Sequence, residues 1–235
     1  MRKSEILSIF QEVIEGPRNV YLDELVKSGG KVMGYYCSYI PEEIFTAAGF
    51  LPYRIRGAGS EDSSDGDAYM SARVCTFVRH TISLALRGEF DFLDGVVLLQ
   101  NCDHVRRAGD LFVKKVKLPF YSMLSVPRAP KERLFSWYLD ELERLKAEME
   151  AHFGLAITEE KLEEAITLHN ATRERIRSLY DLRKKEAPPI TGEEALTITT
   201  AAHLMPRDQF NTLMDDLLAD LTNTEGTKSY RARVI

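Results

Sequence analysis

The run Gly95-Val-Val-Leu-Leu99 sets the tightest limit on what this chain can become. Its residues are apolar without alternation, so neither face of the segment can be left in water. That pattern predicts a strand covered on both sides, as in a parallel sheet flanked by helices. The surrounding sequence agrees. Lys31 to Tyr36 reads as a short buried strand bounded by Gly29-Gly30, and Pro41 to Ala48 as the helix that follows it. Pro41 suits the first helical position, Glu42 and Glu43 suit the positive end of the helix dipole, and Gly49 suits a left-handed cap.

Further strands are expected at Leu51 to Arg56 and Pro119 to Val126, the first near a sheet edge because Pro52 cannot donate to a ladder. A helix is expected over Ser71 to Leu86, with Val74, Phe77, Val78, Ile82 and Leu86 as its apolar positions and Gly88 as its end. Another should cover Val105 to Lys117. Strand and helix thus alternate from Lys31 to Pro127, which predicts an α/β fold with about four parallel strands and right-handed crossovers.

The flanks read differently. Residues 2 to 28 carry two short helical patterns, through Ile6, Leu7, Phe10, Val13 and Ile14 and then Tyr21, Leu22, Leu25 and Val26. Beyond Pro130 the pattern is helical, with one stripe through Tyr138, Leu142, Leu145, Met149 and Phe153 and another through Leu162, Ile166, His169, Ile176 and Leu179. His169 reads as a packing histidine. Thr191-Gly-Glu-Glu194 is a capping box opening a helix to about Met205, and Pro206 opens a last one through Leu221. The expected divisions are residues 1–128, helices plus the α/β domain; 129–229, a helical region; and 230–235, the first strand of a second α/β domain that the chain lacks.

The chain has 235 residues, a formal net charge of −5 and three cysteines. The acidic balance argues against a general nucleic-acid binder. An odd, small cysteine count argues against a disulfide framework and suits a reducing, cytoplasmic setting. Neither a signal-peptide core nor an apolar run of roughly 20 residues occurs. Cys37 lies in the turn after the first strand, Cys102 after the buried strand, and Cys75 near a helix start at what should be the same sheet edge. Taken singly, each is best read as a small packing residue. Together they fall where open α/β sheets bind ligands. Gly57 to Asp67, rich in Gly, Ser and Asp, reads as a surface loop.

The order of Tyr36-Cys-Ser-Tyr-Ile-Pro-Glu-Glu-Ile44, Ala47-Ala-Gly49, Phe92-Leu-Asp-Gly-Val-Val97, Asn101-Cys-Asp103, Leu124-Ser-Val-Pro-Arg128 and Ile157-Thr-Glu-Glu-Lys-Leu162, with Asn170, resembles the benzoyl-CoA reductase / 2-hydroxyacyl-CoA (2-hydroxyglutaryl-CoA) dehydratase family, in particular its iron–sulfur subunits. The resemblance implies a flavodoxin/Rossmann-like domain with helical additions, a second such domain, and a [4Fe–4S] cluster held by three cysteines per subunit. It further implies a paralogous second subunit, an acyl-CoA substrate, and a separate ATP-dependent activator that donates single electrons. The family's dehydratases remove water from a 2-hydroxyacyl-CoA through a ketyl radical, and its reductases dearomatise benzoyl-CoA.

By motif, Cys37 and Cys75 match cluster ligands, and Cys102 matches a family cysteine whose role is less fixed. One ligand is expected from the second α/β domain, which leaves the activity of this chain alone open. Thr76 departs from a proline common in relatives. Ser38, Arg106 and Arg107 are the candidate substrate-binding residues, the arginines through a coenzyme A phosphate, although an exposed helix end is the plainer account of the two arginines. No G-x-x-x-x-G-K-[ST] loop is present, so ATP hydrolysis is expected elsewhere. Two rivals stand beside this reading. One is a cluster-free module of the same fold that serves subunit pairing. The other, a flavodoxin-like nucleotide binder, is disfavoured by the missing glycine-rich phosphate loop.

Overall fold

A computed structural model describes residues 1–127, 129, 131–222 and 224–226. The strand expected at Tyr230 to Ile235 lies outside the described residues. Contacts divide the chain into two compact units, residues 16–165 and residues 1–15 with 166–235.

The first unit is built on four parallel strands in the order β2-β1-β3-β4. These are β1 (Lys31–Tyr35), β2 (Phe50–Arg54), β3 (Gly95–Leu99) and β4 (Phe120–Leu124). As the apolar run requires, all of β3 is buried. It sits between β1 and β4, with Tyr35 level with Val97 and Val97 level with Ser122. Around the sheet run α2 (Val20–Lys27), α3 (Glu42–Ala47), α4 (Ser64–Asp67), α5 (Thr76–Leu86), α6 (Asp103–Leu111) and α7 (Phe135–Phe153). The small parallel α/β architecture expected from the sequence is therefore present.

The pleat separates the two faces. Met33, Tyr35, Val97, Leu99, Phe120 and Leu124 pack with Ile44 and Phe45 of α3 and with Leu145 and Met149 of α7. The opposite side carries Tyr36, whose ring meets Phe77 of α5 and Phe112 edge-on at 5.6 and 6.1 Å. Each sheet edge carries a feature that hinders further pairing. On β2, Ile55 donates its amide to Tyr35, so alternate residues turn outward and Pro52 has no hydrogen to offer there. On β4, the outward Met123 carbonyl accepts from Arg144 at 2.8 Å, and the Ser125 amide donates to Glu141 at 2.9 Å. Arg144 also pairs with Glu141 and Glu148 at 3.0 and 2.6 Å.

The second unit is helical. It comprises α1 (Lys3–Ile14), the part of α8 (Glu159–Arg183) from Ile166 onward, α9 (Gly192–Ala201) and α10 (Arg207–Thr222). Phe10 packs at a tilt on Phe210 at 5.4 Å, and the buried Thr172 hydroxyl donates to Asn211 at 2.8 Å. The Thr191–Glu194 capping box forms as expected.

Several boundaries and burials differ from the sequence expectation. The α5 helix starts at Thr76 rather than Ser71, because Cys75 takes a non-helical conformation as its N-cap. Phe77 is 40% exposed, meeting the Tyr36 ring edge-on rather than entering the core. Ile166 is 45% exposed while Ala165 and Thr172 are buried, so the α8 stripe is shifted by one residue at that level. His169 is buried, in keeping with a packing role. The helix from Gly192 ends at Ala201, short of Met205. The end of the Gly57–Asp67 segment is a single helical turn, α4, lodged against α5. There the Gly66 amide donates to Ser83 at 2.8 Å. A β-carbon on Gly66 would stand 2.4 Å from the Arg79 carbonyl, which is backbone and cannot swing away. Gly66→Ala should accordingly cost about 1–3 kcal/mol of stability, seen as a lower midpoint in urea unfolding. An unchanged midpoint would mean that α4 is not seated this way.

Candidate functional site

The three cysteines follow or cap elements that end at one side of the sheet. Cys37 comes two residues after β1, Cys75 immediately precedes α5, and Cys102 lies between β3 and α6 as its N-cap. Cys37 is half-buried, and Cys75 and Cys102 are exposed thiols. Two tyrosine hydroxyls fix the first turn. Tyr35 donates to Glu42 in the first turn of α3 at 2.6 Å, and Tyr36 donates to Thr81 of α5 at 2.7 Å. Burial raises the Tyr36 phenol above its ordinary value, opposed only partly by Thr81, so it stays a neutral donor.

The turn from Asn101 to His104 joins the other segments. Asn101 donates Nδ2–H to Cys37 Sγ at 3.3 Å, and His104 Nδ1 accepts the Cys75 amide hydrogen at 3.0 Å. Between them, Cys102 Sγ accepts the Val105 amide at 3.4 Å as the cap of α6. One turn therefore touches both of the other cysteine-bearing segments. Asn101 and His104 carried no assigned role in the sequence reading. Asn101 stands in the Asn101-Cys-Asp103 motif, and His104 had only its position next to that motif as a signal.

Thiol donors on three converging segments are the right chemistry for an iron–sulfur cluster. Among the described residues, however, no group of three or more His, Cys, Asp or Glu side chains stands close enough to hold a metal ion. The edge supplies the donors without gathering them.

Ser38 is exposed in the turn after Cys37. Arg106 and Arg107 line a polar cleft of about 480 Å³ with Gln100, Asp103, Asp110, Tyr121 and Met123. They pair with Asp103 at 3.2 Å and Asp110 at 3.9 Å, and all four side chains are more than half exposed. The cleft is thus charge-balanced. Three aspartates of the Gly57–Asp67 segment serve as latches. Arg87 meets Asp62 at 3.0 Å and Asp65 at 2.5 Å, and Arg79 meets Asp67 at 2.7 Å.

An open parallel sheet flanked by helices, with three free cysteines after or capping its elements, defines the class as an α/β protein. Residues 37–235 match the family model for the 2-hydroxyglutaryl-CoA dehydratase D-component, and the chain belongs to that family. It is 29% identical over 207 residues to one of the subunits of benzoyl-CoA reductase from Thauera aromatica, covering 87% of this chain and 54% of that protein. It is 29% identical over 219 residues to the (R)-phenyllactyl-CoA dehydratase beta subunit of Clostridium sporogenes, covering 89% and 57%. To the (R)-2-hydroxyglutaryl-CoA dehydratase beta subunit of Acidaminococcus fermentans it is 26% identical over 225 residues, covering 94% and 59%. The chain thus spans somewhat more than half the length of these relatives. Among the described residues, no helix is long and apolar enough to cross a membrane.

The latch geometry gives a test. Asp62 is held down to about 2, first by the Ser64 hydroxyl, then by the Ser64 amide and Arg87. A depressed carboxyl contributes fully above the ordinary aspartate value of about 3.9 and loses that contribution only as pH falls through the folded value. Carbon-detected NMR should place the Asp62 midpoint near 2, and Arg87→Ala should raise it part of the way while speeding proteolysis of residues 57–67. No movement in either would show that Arg87 is not the latch.

Proposed function

We propose that the chain is the iron–sulfur subunit, or a part of one, of a complex that reductively dehydrates a 2-hydroxyacyl-CoA or reduces benzoyl-CoA. The observation that carries this reading is the Asn101–His104 turn, bonded at once to the Cys37 sulfur and the Cys75 backbone. Cys37, Cys75 and Cys102 would hold a [4Fe–4S] cluster, with Cys102 the least committed of the three. Such a cluster, when bound, passes single electrons and offers an open iron to an oxygen ligand.

The chain's own residues do the rest. Cys37 packs against the buried cluster that contains Tyr35, Ile40 and Leu99, which covers it on one side. Ser38 is offered to the acyl portion, and Arg106 and Arg107 to a coenzyme A phosphate once they exchange Asp103 and Asp110 for it. Because the thiols are not gathered, cluster binding would be coupled to ordering of the segments that carry them.

The relatives are named as subunits, which supports a related second subunit as partner. An ATP-dependent activator in the cytoplasm would supply the electrons. In domain terms, residues 1–128 and 129–229 would form the α/β and helical parts. The ungathered thiols favour one other reading, a cluster-free module retained for subunit pairing.

Anaerobic purification of the full-length gene product, with iron and sulfide counted and electron resonance recorded, separates the two. The cluster reading expects about four irons per site, as a [4Fe–4S] cluster requires. Iron should fall sharply, and activator-dependent turnover should be lost, in Cys37→Ala or Cys75→Ala, with a smaller effect in Cys102→Ala. Full iron and activity in both single variants would remove any iron–sulfur role from this chain.

A further inference from the structure

We propose that Asn101 and His104 are positioning residues: the β3–α6 turn sets where Cys37 presents its sulfur and where Cys75 presents its backbone. The proposal deepens the cluster reading and takes its chemical meaning from it, but the geometry is independent of any metal. The two contacts differ in kind. Asn101 reaches the sulfur itself, and an amide N–H pointed at a thiolate sulfur is one of the levers that fix a cluster's potential. His104 reaches main chain instead. It accepts the amide of the residue that caps α5, a group left without an intrahelical partner.

Accepting at Nδ1 leaves the ring proton of a neutral His104 on Nε2, so the tautomer is set by Cys75. Both residues sit where a rigid element delivers them. Asn101 comes two residues after the fully buried β3, and His104 lies in the first turn of α6. The strand's register against β1 thus carries over to the thiol that follows β1. At Cys75 the backbone is held while the thiol itself stays exposed.

Hydrogen exchange on the metal-free full chain reads the two contacts directly. His104→Ala should speed exchange of the Cys75 amide about two- to tenfold, the range of one lost neutral hydrogen bond, and His104→Asn, which keeps an acceptor at similar reach, should restore protection. Asn101→Leu should speed exchange at Ile40, whose amide closes the Cys37 turn onto the Cys37 carbonyl. In the iron-loaded protein, Asn101→Leu should keep its iron yet shift the reduction potential to more negative values, a change that a purely structural role would not produce. Unaltered exchange at both amides would overturn the proposal. So would an exchange defect in His104→Ala that His104→Asn fails to rescue, or an unshifted potential in Asn101→Leu. Absence of iron from the wild-type protein would instead overturn the cluster reading, and the exchange measurements would still decide the positioning roles.

Discussion

Two adjacent tyrosines hold this edge of the molecule together. Consecutive residues at a strand end point to opposite faces, so Tyr35 and Tyr36 cannot serve the same layer. Tyr35 sends its hydroxyl to Glu42 beneath α3, and Tyr36 sends its own to Thr81 within α5. Each phenol is buried and bonded, which spares the cost of an unpaired polar group in the core. One strand end is thereby tied to a helix on each side, and Cys37 is the next residue. Nothing that repacks either helix can leave that residue where it was.

The same dependence runs through β3. Burial along its whole length makes the register of β3 a matter of close packing: at Gly95 a β-carbon would stand 2.7 Å from Phe120 Cβ, so no larger residue can slide into that place. The turn after it inherits that certainty. Cys75 has no strand of its own behind it and takes its place from α5 and from His104. Two of the cysteines therefore follow strands of the sheet, while at Cys75 only the backbone is held, by α5 and by His104.

The sheet was legible because its signals were one-dimensional. Unbroken apolar runs, a proline in an edge strand and glycines with φ near +83° after α3 and +82° after α5 are properties of single segments. The cysteine positions were legible as ends of elements for the same reason. What escaped were facts about pairs. That Phe77 would stand exposed against Tyr36, that Ala165 and Thr172 rather than Ile166 would turn inward, and that Asp62 and Asp65 would latch Arg87 are set by what each residue faces. Asn101 and His104 belong to this second group. Their partners lie 64 and 29 residues away, and no periodicity encodes such a bond.

The features that guard the two sheet edges bear on how such a chain meets others. An unprotected outer strand is a template for any extended segment that drifts past, including another copy of itself. Here the outward carbonyl of Met123 and amide of Ser125 are already engaged by Arg144 and Glu141, and Pro52 blocks the far side. Strand addition is discouraged at both rims. A neighbour is left with side-chain surfaces, which discriminate by shape and charge where a bare backbone would accept almost any sequence. Any surface that met these rims would be selected by side chains, not by backbone pairing.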